Sequence, residues 1–180
     1  MGKLTFALNL TLDGCCDHRG CAPDDQLFRY WTRLMDEAGG MLWGRKVYEL
    51  MEAYWPAVAR DPKASRLDRA WARKLDAKNK YVVTTTRRDF PWRNTHRVQG
   101  NLADAIKGLK KATPRGLLAG SPTLSTELHR LGLIDEYLFV VHPRVAGHGP
   151  YLFVDWRASH LKFIDAKRFK SGVVALRYKS

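Results

Sequence analysis

The chain has 180 residues, 31 Lys and Arg against 18 Asp and Glu, and a formal net charge of +13; 45% of it is hydrophobic and 11% aromatic. That length and apolar content suit one domain with a sizeable core and exclude a disordered chain, and no apolar run approaches the roughly 20 residues of a membrane span. The charge would suit nucleic acid, a polyanionic small molecule or solubility alone, but the cations are scattered from Lys3 to Lys179 and no nucleic-acid motif accompanies them, which argues against a nucleic-acid partner.

Residues 3–12 read as an apolar strand. The amino terminus has neither a long apolar stretch nor a small-residue cleavage site, so it predicts the first strand of a mature cytoplasmic fold rather than a signal peptide. Leu12-Asp13-Gly14 ends that strand, and a polar loop over 14–23 carries Cys15, Cys16, His18 and Cys21. The spacing suits zinc poorly, because structural sites use paired Cys-x-x-Cys units that supply all four ligands; reduced cysteines and no metal are expected. Pro23-Asp24-Asp25 signals a helix start, with Leu27, Tyr30, Trp31, Leu34 and Met35 at helical spacing. Gly40–Trp43 reads as a buried strand that turns at Gly44 into a helix from Arg45 to Tyr54-Trp55, stopped by Pro56.

A second amphipathic stretch follows, with Leu67, Ala70, Trp71 and Leu75. Residues 81–86 are β-branched enough to predict a strand, and a short strand is expected near His96–Val98. A helix over Leu102–Ala112, a compact strand over 116–120 and a helix over Pro122–Leu131 come next. After Gly132 the pattern is purely β: Glu136–His142, a glycine-bearing loop over Pro143–Pro150, and a terminal hairpin of Leu161–Phe169 and Val173–Lys179. Strand–helix alternation predicts a largely parallel α/β sheet covered on both faces, with the hairpin adding antiparallel strands at its edge. No repeat, linker or second domain is evident. His142 and His148 are expected to be exposed.

Ligands of open α/β sheets lie at the carboxyl ends of strands, beside helix N-termini. Three strand ends carry suitable groups. Gly44-Arg45-Lys46 would present helix N–H groups and two cations to a phosphate or pyrophosphate. Thr84-Thr85-Thr86-Arg87-Arg88 would suit a terminal phosphate, since Arg binds phosphate bidentately. Gly120-Ser121-Pro122-Thr123 would let backbone approach an anion closely while hydroxyls and N–H groups meet it. Each has a plainer reading: solvated cations at a connection, an ordinary strand end, and a glycine turn with a serine cap. Three together favour an extended ligand with several phosphates.

With these blocks in place, the chain resembles the dihydrofolate reductase-like superfamily, most closely the branch containing the reductase domain of bacterial riboflavin biosynthesis. The resemblance runs over nearly the whole length and rests on Leu4–Gly14, Gly44–Leu50, Tyr81–Arg87, Leu118–Leu124, Gly132–Tyr137 and the Pro143–Phe153 loop. It implies a three-layer α/β/α sandwich with a mixed sheet, one reductase domain over 1–180, and NADPH as hydride donor to a small heterocycle, pterin-like or pyrimidine-like. It implies that Gly44, Arg45 and Lys46 meet the pyrophosphate region, with Gly120, Ser121, Pro122 and Thr123 on its other side. Thr86, Arg87 and Arg88 would meet the adenosine 2′-phosphate, and Ala7 and Leu8 would approach the nicotinamide.

Hydride transfer to a C=N bond leaves a nitrogen that needs a proton. Asp25 is the implied donor and Asp13 the alternative; the plainer roles are helix capping for Asp24 or Asp25 and a turn for Asp13. A homodimer contact through Glu136–His142 and the loop around Gly147 and Gly149 is expected by analogy with related reductases. The reading from another class is a non-catalytic nucleotide- or nucleic-acid-binding module on the same fold.

Overall fold

Alternation along the first strand divides the interior in two. β1 (Leu4–Thr11) sends Leu4, Phe6 and Leu10 into one buried cluster and Ala7 into another, as period-two geometry requires. The computed structural model describes residues 1–20 and 24–180. Cys21 of the cysteine loop and Pro23 of the expected helix start lie outside the described residues.

One face of the sheet is covered by α1 (Asp25–Glu37), α2 (Arg45–Val58) and α3 (Arg66–Ala77). Leu27, Tyr30 and Leu34 of α1, Tyr48 of α2 and Leu75 of α3 share the cluster that holds Ala7. The other face carries α4 (Leu102–Ala112) and α5 (Pro122–Arg130), whose Ile106 and Leu128 join Leu4 and Phe6. Each large apolar side chain buried this completely contributes roughly 1.5–3 kcal/mol.

Between the helices lies one eight-stranded sheet in the order β4-β3-β2-β5-β1-β6-β8-β7. Its strands are β1, β2 (Gly40–Gly44), β3 (Lys80–Val83), β4 (Thr95–Val98), β5 (Leu117–Ala119), β6 (Glu136–His142), β7 (Lys162–Arg168) and β8 (Val174–Lys179). The first six in spatial order run parallel, and β8 and β7 add antiparallel strands beside β6. This is the expected three-layer α/β/α sandwich with a mixed sheet and a terminal hairpin. The chain passes from β1 over one face to β2 and from β5 over the other face to β6, so a crevice opens at the carboxyl ends of β5 and β1.

Two local expectations are corrected. α2 does not stop before Pro56 but runs to Val58. The proline removes one donor near the helix end, and Ala59 N still reaches Trp55 O at 3.0 Å, so one more turn survives. The strand expected over 81–86 ends at Val83. The Thr84 hydroxyl accepts from Thr86 N at 3.3 Å and Arg87 N at 3.1 Å, which turns the chain out of the ladder. β1 and β8 pair with β6 on both sides, so the open edges of the sheet are β4 and β7.

Candidate active site

Three helices begin with a side chain closing their first turn. Asp24 accepts from Leu27 N at 2.7 Å, Ser65 from Asp68 N at 3.0 Å and Asn101 from Asp104 N at 3.2 Å. At α2 and α5 no side chain caps the helix. Gly44, the first cap, has no side chain to offer. Ser121, the second, turns its hydroxyl away from its own helix to accept from Gly44 N at 2.8 Å. That bond joins the ends of the neighbouring strands β2 and β5 and places two open helix N-termini side by side, with no acceptor among the described residues for the Ser121 hydroxyl hydrogen. Both helix dipoles therefore direct positive ends at one crevice.

The floor of that crevice is low. A Cβ added to Gly120 would meet only Ala7 O, at 3.7 Å, an ordinary contact. Glycine here leaves a methyl-sized space above β1 rather than relieving a clash. Ala7 is buried and Leu8 half-buried. The structure thus brings together Ala7, Gly44, Gly120, Ser121 and the starts of α2 and α5, which carry Arg45, Lys46, Pro122 and Thr123.

The cations are less free than the sequence implies. Arg45 pairs with Glu49 one turn on, at 3.1 Å. Arg87 is held by Glu52 at 2.7 Å, lies 3.7 Å from Glu49 and stacks 4.8 Å above the Tyr48 ring. Tyr48 in turn donates to Glu52 at 2.7 Å. Thr86 and Arg88 are exposed just beyond the Thr84 turn.

The two carboxylates proposed for proton delivery stand in different settings. Asp13 accepts from the Thr11 hydroxyl at 2.5 Å, Ala146 N at 3.1 Å and Gly147 N at 2.9 Å. Those donors, the Thr11 hydroxyl foremost, hold its pKa down at about 2. Asp13 thereby fastens the end of β1 to the loop after β6, and the two loops are sewn further by Cys16 N to Pro150 O at 2.9 Å and Leu152 N to Gly14 O at 3.0 Å. Asp25 is exposed in the first turn of α1, 3.9 Å from Arg29, while its neighbour Asp24 does the capping. The structure does not bring Asp13 and Asp25 together.

Sequence reasoning missed a polar group on the face of β1 that α1 covers. His142, expected to be exposed, is buried at 6% exposure, because β6 carries it inward on the same face as Val140. Its Nε2 lies 3.1 Å from Asn9 Oδ1, which also accepts from Trp31 Nε1 at 3.3 Å. Burial pushes the imidazole below its ordinary pKa, and the Asp24 carboxylate pulls partly the other way. The available signal was an amide in the middle of an apolar strand and a histidine closing another. His148, by contrast, is exposed as expected.

A mostly parallel sheet with open helix N-termini at a strand-end crevice defines the class of α/β proteins that take ligands at the carboxyl edge. The chain belongs to the RibD C-terminal domain family, whose model matches residues 3–175. Among curated proteins it is similar to YyaP of Bacillus subtilis (strain 168), 28% identical over 183 residues, covering 98% of this chain and 94% of that one. Among solved structures it is similar to a Shewanella sp. PV-4 protein assigned to riboflavin biosynthesis, with TM-score 0.76, 20% identity and coverage of 99% and 98%. The fold is also shared with a dihydrofolate reductase from Enterococcus faecalis complexed with NADP(H), at TM-score 0.64, 12% identity and coverage of 99% and 96%. These likenesses bear out the superfamily and the riboflavin-reductase branch implied by the sequence blocks.

Proposed function

We propose that this protein is an NADPH-dependent reductase of a small heterocycle, pterin-like or pyrimidine-like, formed by one domain over the whole chain and working in the cytoplasm. The junction of Gly44 and Ser121 carries the reading. Two uncapped helix N-termini meet there over a glycine floor, a chemistry that suits a diphosphate, and family membership makes a dinucleotide the natural occupant.

In this assignment Gly44, Arg45 and Lys46 hold one side of the diphosphate, and Gly120, Ser121, Pro122 and Thr123 the other. Arg88 and Thr86 meet the 2′-phosphate, while Arg87, engaged by Glu52, shapes the pocket wall. Ala7 and Leu8 form the surface on which the nicotinamide lies. The bound cofactor supplies a hydride. The chain's part is to align the substrate ring against Ala7, exclude water from that face and deliver a proton to the reduced nitrogen. Asp25, acting through solvent, is the residue this reading assigns to that last role, with Asp13, which accepts from three donors, as the alternative. A second copy is expected along β7, whose whole length is exposed and carries Phe163 and Ile164; elution at twice the monomer mass in size-exclusion chromatography with light scattering would bear this out.

The test is titration with NADPH while following thermal unfolding. Ligand at about 100 times its Kd should add about 2.7 kcal/mol and raise Tm in a concentration-dependent way; no rise at millimolar NADPH overturns the reading. One observation favours a non-catalytic nucleotide-binding module instead: Asp13, the carboxylate closest in sequence to the end of β1, is set to stay ionised. Tight NADPH binding with no cofactor oxidation across pterins, pyrimidines and flavin precursors would select that alternative.

A further inference from the structure

Asn9 sits two residues beyond Ala7 on the same face of β1, half-buried, where an aliphatic side chain would be the plain choice. Two donors close on its oxygen. Trp31 Nε1, from α1, approaches Oδ1 at 3.3 Å, and His142 Nε2, from the end of β6, lies 3.1 Å from the same atom. An indole N–H can only donate, so its approach fixes which end of the amide is oxygen. The imidazole nitrogen facing that oxygen must then carry hydrogen, whether the ring is neutral or charged. With Oδ1 accepting twice, its capacity is filled. Nδ2 has two N–H donors and no hydrogen-bond partner among the described residues.

The surroundings offer that donor pair no acceptor among the described residues. Ala7, the next residue on this face, contributes only a methyl group. Thr11, the residue beyond, gives its hydroxyl hydrogen to Asp13 and so does not compete. Asp24, the carboxylate that acts on His142, caps α1 through Leu27 N and is not bonded to Nδ2.

We infer that Asn9 is a specificity-determining residue: its amide, held by Trp31 and His142, presents N–H donors alone and therefore takes a ring carbonyl of the substrate while rejecting an amino group in that place. Trp31 and His142 are the positioning residues, since they act through Asn9. This rests on the reductase reading for the statement that a substrate ring lies against Ala7. A site built to donate loses those hydrogen bonds when a bound ring covers the donors without offering an acceptor, and that is a basis for discrimination.

The probes are pterin and 2,4-diaminopteridine, which replaces the ring carbonyl with an amino group. Binding is followed by ligand fluorescence, with and without NADPH. The wild-type protein should bind pterin at least about tenfold more tightly, the scale of one neutral hydrogen bond gained against one lost. Asn9→Asp keeps the shape but exchanges donors for acceptors, so it should reverse the order of preference, an outcome that general damage to the fold cannot produce. Should that variant not fold, Asn9→Leu should abolish the preference and weaken pterin at least about tenfold.

A wild-type protein that binds neither pteridine, binds both equally or prefers the diamino compound overturns the inference, as does a variant that keeps the wild-type order. The NADPH-dependent rise in Tm is read separately on the same samples. Its absence would remove the reductase reading, while the pteridine comparison without cofactor would still decide the role of Asn9.

Discussion

Arg87 and Arg88 are adjacent in sequence and unlike in circumstance. Arg87 closes a small network with Glu52, Glu49 and Tyr48, whereas Arg88 is exposed and makes no ion pair among the described residues. Arg88→Ala should therefore leave Tm unchanged and raise the Kd for NADPH about tenfold, with little effect on NADH; equal changes for both dinucleotides would refute a 2′-phosphate contact. Arg87→Ala should instead cost about 1–2 kcal/mol in denaturant unfolding, because Glu52 loses a close, half-buried partner. Gly120→Ala separates binding from folding in the same way. Its new methyl meets only Ala7 O at 3.7 Å, so stability should change by less than about 0.5 kcal/mol. The methyl would occupy the space assigned to the cofactor, so NADPH affinity should fall by about tenfold or more in isothermal titration; an unchanged affinity would move the cofactor elsewhere.

Elements are tied to one another by two acids, and they give predictions of opposite kind. Asp135, just before β6, accepts from Leu4 N at 2.7 Å and pairs with the buried Lys110 of α4 at 2.5 Å. Asp135→Ala leaves that ammonium only the Leu133 carbonyl, at 3.3 Å, and should lower stability by about 2–4 kcal/mol in urea unfolding. Asp13 ties loop to strand. Its folded pKa of about 2 lies below the ordinary aspartate value of 3.8, so its contribution is present above that ordinary value and lost as pH falls through the folded one. The Ala146 and Gly147 amide resonances should titrate between roughly pH 4 and 2, and in Asp13→Asn they should not. The helices and strands themselves were legible because period and capping are local: Pro23-Asp24-Asp25 announces α1, apolar residues at helical spacing announce α3 and α4, and Gly44 and Gly120 announce strand–helix turns. Glu52 reaching Arg87, Asp13 reaching residue 147 and Asn9 meeting His142 were not legible, because each pair is separated by 35 to 134 positions and joined only by strand pairing or helix packing.

At the scale of the molecule, the excess of 13 positive charges is a cost in the folded state and an asset to an anion. Both follow from one field, and salt separates them by sign. Raising ionic strength shortens the Debye length from about 30 Å at 0.01 M to about 8 Å at 0.15 M, which screens self-repulsion among exposed Lys and Arg. The ligand-free protein should therefore gain Tm between these conditions. Attraction of NADPH is screened at the same time, so the increment in Tm that a fixed NADPH concentration produces should shrink as salt rises. A module built for nucleic acid would behave differently in degree, since contacts to several phosphates make log K fall with log salt at a slope of about 0.9 per phosphate on duplex DNA. A crevice that grips one dinucleotide through two helix N-termini keeps most of its hold, because hydrogen bonds from backbone N–H groups at short range are screened far less than distant charges. Thermal scans across a salt series, with and without NADPH and with a single-stranded oligonucleotide as comparison, should show a rising ligand-free Tm, a modestly falling NADPH increment and no increment from the oligonucleotide at 0.15 M. A ligand-free Tm that falls with salt would mean that paired charges, not the net excess, dominate this surface.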